Sequence, residues 1–186
     1  MSKILVDTID TRSGTSNITI GSSNASQITL KSGATLTNFP ASTPAFEAYQ
    51  SANTNISDST NTKVECNTEV FDTDNCYDNT TNYRFTPNVA GKYFFYGAAQ
   101  GYGGQLSGIE SLDVKIFKNG SQVRAFSHNY SNNFSYVQHS NFHLTIDMNG
   151  SSDYVEFYVN FNAVGTPRLN GSSTGDHCYW GGYKLA

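Results

Sequence analysis

One stretch constrains this chain more than any other: Lys92 to Ala99, read KYFFYGAA. Side chains alternate across a strand, so Tyr93 and Phe95 fall on one face and Phe94 and Tyr96 on the other. Both faces then carry large aromatics. One face can fill the core of a sandwich, but the second needs cover from another layer or another copy of the chain. Just before it, Tyr83 and Phe85 lead into Thr86-Pro87-Asn88-Val89-Ala90-Gly91. Pro87 presets its own φ and Gly91 tolerates a positive one, so the segment reads as the turn of a central hairpin.

Other stretches carry the same two-residue period. Ala45 to Tyr49 alternates Phe46 and Ala48 against Glu47 and Tyr49, and Gln50 to Thr60 is a polar loop. Thr62 to Phe71 places Val64, Cys66, Thr68 and Val70 on one face of an amphipathic strand with one wet side. The glycine-rich Gln100 to Gly108 reads as a loop. Leu112 to Phe117 and Gln122 to Phe126 flank Asn119-Gly120, a two-residue turn that needs positive φ twice. Phe134 to Ile146 follows, then Tyr154 to Phe161 with Val155, Phe157 and Val159 on one side, and Cys178 to Ala186 as a last strand. No stretch has a convincing helical period. About eight short strands predict an all-β sandwich or jelly roll. The 12 Tyr, 12 Phe and abundant Asn, Ser, Thr and Gly fit that class, with strand formers between turn formers.

The first forty residues differ from the rest. NITIGSSNAS and QITLKSGATL align at a spacing of ten, setting Ile18 and Ile20 over Ile28 and Leu30, with Leu36 closing the strip. Two such rungs show only a narrow apolar edge and cannot bury a core alone. Ile4, Val6 and Ile9 could form a single strand laid onto a foreign surface. We therefore divide the chain into an anchor (1–12), a short β-repeat shaft (13–38), a proline-containing linker (39–44) and a head (45–186).

A net charge of −4 with no run of Lys or Arg gives nucleic-acid binding no obvious source of counterion release. Ile4-Leu5-Val6 is far short of a signal-peptide core or membrane span, so the expectation is synthesis in a cytosol without export and no membrane insertion. Cys66, Cys76 and Cys178 form no disulfide framework. Buried free thiols are expected, with a Cys66–Cys76 bridge as the alternative.

Candidate chemistry is sparse. Gly171-Ser172-Ser173-Thr174-Gly175 matches a nucleophile pattern, but that elbow needs a strand before it and a helix after it, so it reads as a loop. His139 and His143 lie four apart on a strand with no third ligand implied by spacing. Asp72, Asp74 and Asp78 could offer oxygens to calcium, yet the calcium-loop pattern fails at Cys76 and lacks its Gly and final Glu, so a solvated acidic turn is the reading. No cofactor and no enzymatic activity are expected. Asn129, Tyr130, Asn132, Asn133 and Tyr136 suit a receptor-contact surface, since aromatic faces stack on sugar rings or apolar patches and amides bond hydroxyls without a charge to desolvate. Tyr102 and Trp180 share that chemistry, although Trp180 lies on a core strand.

In order and spacing, AFEAY, TKVECNTEVFD, YRFTPNVAGKYFFYGAA, SLDVKIFKNGSQV and the closing YWGGYKL resemble the globular head of complement component 1q, which belongs with the tumour-necrosis-factor-like jelly rolls. The resemblance covers residues 45–186. It implies a tight homotrimer in which Phe85, Tyr93, Phe94, Phe95, Tyr96, Tyr183 and Leu185 serve the sandwich core and the three-fold interface. The rungs before the head resemble the thin, intertwined shafts of bacteriophage fibres, particularly those of marine phages. The collagen-like stalk of the animal family is absent. Together these likenesses imply a structural virion protein assembled in the host cytoplasm: a trimeric tail fibre or capsid-attached fibre, held to other virion proteins through its N-terminus, whose head touches a host-surface glycan or protein. The rival expectation is a secreted lectin-like or cytokine-like module.

Overall fold

The computed structural model describes residues 43–105, 108–130 and 135–185. The expected anchor residues Ile4, Val6 and Ile9, the shaft residues Ile18, Ile20, Ile28, Leu30 and Leu36, and the loop residues Asn132 and Asn133 lie outside the described residues.

Thirteen strands follow one another along the described chain: β1 (Ala45–Tyr49), β2 (Thr54–Asn55), β3 (Asn61–Lys63), β4 (Thr68–Asp72), β5 (Tyr77–Asp78), β6 (Arg84–Phe85) and β7 (Gly91–Tyr102), then β8 (Ile109–Lys118), β9 (Ser121–Asn129), β10 (Val137–Met148), β11 (Val155–Ala163), β12 (Arg168–Leu169) and β13 (Tyr179–Lys184). They form two antiparallel sheets, one of seven strands and one of six. β7 is the spine of the larger sheet. β10 pairs with it from Gly91 to Tyr102, while β13 and then β12 pair along its other side, and β1 and β4 extend the sheet beyond β13. In the smaller sheet β11 is central, paired with β8 along nearly all its length and with the short β3 and β6 on its other side. β9, hydrogen-bonded to β8, forms one edge.

The inward faces meet in a core rich in aromatic rings. Phe46 stacks on Phe85 at 4.6 Å between centroids and meets Trp180 edge-on at 4.7 Å, with Tyr93, Phe95 and Phe157 around them. All six are fully buried. Burying each such side chain stabilises the fold by about 1.5–3 kcal/mol before conformational entropy is set against it. The expected alternation of Val155, Phe157 and Val159 is present, and Phe161 continues it.

Three sequence expectations change. The segment after Phe85 is not the turn of a hairpin: β6 pairs with β5 and β11 in the smaller sheet, whereas β7 belongs to the larger one. Residues 86–90 therefore carry the chain across the sandwich. The strand expected over Thr62 to Phe71 is broken for the same reason. Its start pairs with β11 and its end with β1, and Val64 and Cys66 plug the core while the chain crosses. Val70 does not share their face and stands 59% exposed. Finally, β7 extends through Tyr102 into the expected glycine loop. Gly101 sits in the strand because a side chain there would strike the Phe161 ring, which would lie only 2.8 Å from its Cβ.

Candidate functional site

The outer face of the larger sheet is where the second set of aromatics lies. Phe94 and Tyr96 project there, half-buried, and Phe94 lies 5.6 Å from the Tyr183 ring, 6.4 Å from Tyr96 and 6.5 Å from His143. Tyr183 is 44% exposed. Gly181 explains how Tyr96 is held. It is paired with Tyr96 on β7 and with Glu47 on β1, and a side chain at Gly181 would collide with the phenol. Tyr96 therefore crosses β13 and donates its hydroxyl hydrogen to Glu47 Oε2 at 2.6 Å. Burial and that hydrogen bond both push the Tyr96 phenol well above its ordinary pKa. The next residue, Gly182, makes room on the inner face for Phe95.

The residues expected to serve core and interface thus divide by depth. Phe85, Tyr93 and Phe95 are buried between the sheets. Phe94, Tyr96, Tyr183 and Leu185 are on or beside the outer face, with the Leu185 N–H donating to the Lys92 carbonyl at 2.8 Å.

Of the residues expected to contact a receptor, Asn129, Tyr130 and Tyr136 are described, and their side chains take different surroundings. Asn129 is exposed at the end of β9, while Tyr130 leans on the core and donates its N–H to the Glu110 carbonyl at 2.9 Å. Tyr136, 42% exposed, packs edge-on against Tyr102 at 4.7 Å and donates its hydroxyl hydrogen to the Tyr102 hydroxyl at 3.0 Å. The Arg168 guanidinium covers the Tyr102 ring at 4.2 Å. Sequence reasoning did not find Arg168, whose place over Tyr102 depends on the pairing of β12 with β7. Trp180 is fully buried and takes no part in the surface; its indole N–H donates to the Tyr77 hydroxyl at 3.3 Å.

The acidic turn is organised by its own backbone. Asp72 accepts from the N–H of Tyr77 at 2.7 Å and of Asp74 at 3.4 Å. Asp78 accepts from Thr81 N–H at 2.9 Å, Thr80 N–H at 3.1 Å and the Asn82 amide at 2.7 Å. These donors, that of Thr81 first, hold the Asp78 carboxyl far below its ordinary pKa. Among the described residues no three metal-ligating side chains come together.

All three cysteines are buried free thiols. Burial first, and then the neighbouring Cys178, raise Cys66 well above its ordinary value; burial pushes Cys178 up to about 12, against the opposing N–H of Gln100. The Gly171 to Gly175 segment is a turn in which Ser172 and Thr174 bond each other at 2.6 Å. His177 directs Nδ1 at the Gly171 carbonyl, 3.1 Å away, rather than at Ser173. His139 faces Gln100, whereas His143 lies between Phe94 and Phe126.

No family model and no curated protein match this chain in sequence. Solved structures do match its fold. The crystal structure of murine APRIL at pH 5.0 superposes with a TM-score of 0.56 at 11% identity, covering 77% of this chain and 99% of that one. The globular domain of zebrafish complement 1qA protein superposes with a TM-score of 0.52 at 14% identity, covering 77% and 98%. The fold is the jelly-roll sandwich shared by the tumour-necrosis-factor-like and complement 1q heads.

Proposed function

We propose that this protein is a homotrimeric binding head carried on a virion fibre of a bacteriophage. The observation that carries the trimer is the outer face of the larger sheet, where Phe94, Tyr96 and Tyr183 form an aromatic cluster that the protomer leaves partly wet. Closing three copies about an axis covers that face with its own equivalents. The fold shared with complement 1q and APRIL heads suits this arrangement. The virion assignment draws on the ten-residue rungs at Asn17 to Leu36 and their resemblance to phage fibre shafts. In this reading residues 1–12 join other virion proteins in the host cytoplasm, the shaft spaces the head from the particle, and several copies turn weak contacts with a host glycan or protein into avidity.

The fold likeness also suits a secreted lectin-like or cytokine-like module, which would act without a particle. Electron microscopy of purified particles labelled with an antibody to residues 45–186 separates the two. The virion reading expects label on three-fold projections. Label confined to the particle-free supernatant would contradict it.

A further inference from the structure

β4, β5, β6 and the turns around them line an open depression of about 410 Å3, within the size range of small-molecule sites. Glu69, Asn75, Asp78, Asn79, Arg84 and Thr86 are among its lining residues. Asp78 is occupied by the backbone donors described above. The others are not: among the described residues, the Glu69 carboxylate, the Asn75 and Asn79 amides, the Arg84 guanidinium and the Thr86 hydroxyl have no hydrogen-bond or ion-pair partner in the protein. Arg84 is nonetheless held in place, because its guanidinium lies over the Tyr154 ring at 4.3 Å. That stacking leaves its edge N–H groups free to donate.

The set selects its ligand by charge and by hydrogen-bond type. The Glu69 and Asp78 carboxylates among the lining residues disfavour phosphates and carboxylates, and Arg84 disfavours a cation. An apolar ligand would leave the amides and charges dehydrated and unpaired. An uncharged compound with several adjacent hydroxyls meets every group. Each hydroxyl both donates and accepts, so it can give to Glu69, receive from Arg84 and do either with the two amides and Thr86.

We propose that this depression is a saccharide site that takes a neutral pyranose, with Arg84 and Glu69 gripping neighbouring hydroxyls and Asn75, Asn79 and Thr86 fixing its orientation. The inference deepens the attachment reading by naming where the head would hold a surface glycan, and it rests on that reading for its biological use. The binding itself needs no particle.

The test uses the purified full chain, with the methyl glycosides of glucose, galactose and mannose and with N-acetylglucosamine as probes, followed by saturation-transfer NMR and titration at millimolar concentration. At least one probe is expected to bind. Arg84→Met is expected to weaken it about ten-fold, the loss of a charge-assisted hydrogen bond, and Asn79→Ala about three- to ten-fold, the loss of a neutral amide hydrogen bond. Asn79 is on a turn outside the core, so its variant keeps the test open should Arg84→Met unfold. Binding of none of the four probes, binding that both folded variants leave unchanged, or a preference for inorganic phosphate or calcium over the sugars would overturn the proposal. A chain that sediments as a trimer yet binds no probe refutes the saccharide site alone, whereas a folded monomer refutes the trimeric reading whether or not a sugar binds.

Discussion

Tyr77 shows how much one hydroxyl can organise. It stacks on Phe46 at 4.7 Å, donates to the Cys66 carbonyl at 2.9 Å and accepts from the Trp180 indole at 3.3 Å, all inside the core. It thus satisfies a carbonyl in the segment where the chain changes sheets. Tyr77→Phe keeps the ring but orphans one donor and one acceptor, and we expect a loss of about 1–3 kcal/mol in urea unfolding. An unchanged midpoint would show that water replaces the hydroxyl. Asp78 makes a prediction of the opposite, pH-dependent kind. Its carboxyl is depressed in the folded state, so its contribution is fully present above the unfolded value of about 3.9 and fades as pH falls toward the folded value. Asp78→Asn should therefore lower the melting temperature at pH 7, and the gap to wild type should narrow below about pH 4. A gap independent of pH would remove the charge from the explanation. None of Tyr77's partners was legible in the sequence, because they come from residues distant in the chain and their approach is a product of the finished fold.

At the scale of strands, the alternation of β11 was plain because every inward residue faces the same opposing layer along its whole length. The two crossings were hidden for a physical reason. Alternation is a local property, and Thr62 to Phe71 keeps alternating while its hydrogen-bonding partner changes from β11 to β1. Nothing in the period records which strand lies alongside. The reading of Pro87 and Gly91 found a change of direction but not its destination, since a turn between paired strands and a bridge between sheets draw on the same residues. Turn chemistry was more informative at Asn119-Gly120, where φ is 52° and 76°, joining β8 to β9 as the sequence predicts. Gly120→Val forces a β-branched residue into the left-handed region. It should cost about 1–2 kcal/mol or somewhat more by thermal or urea denaturation, with the Asn119 contacts to Asp153 and Tyr154 loosened. A neutral substitution would mean that the hairpin tolerates a different turn.

For the whole molecule, the partition of β7 into an inner and an outer aromatic face is the feature on which the proposed trimer rests. Tyr93 and Phe95 have a sheet to cover them; Phe94 and Tyr96 share theirs with Tyr183, Glu47 and solvent. That second face was legible at the outset because side chains alternate across a strand and a two-layer sandwich covers only one side of it. The depression around Arg84 was not, because it gathers Glu69 from β4, Asn79 from the turn after β5 and Arg84 from β6, with Arg84 held over the Tyr154 ring. Tyr183→Glu places three carboxylates near the proposed axis and leaves the sandwich core untouched. We expect a folded monomer, with a native far-ultraviolet spectrum and the sedimentation of a single chain. The central claim itself is tested most directly by sedimentation equilibrium of the unmodified protein at micromolar concentration. The account predicts three chains per particle across that range; a well-folded single subunit, with Phe94, Tyr96 and Tyr183 left to solvent, would contradict it.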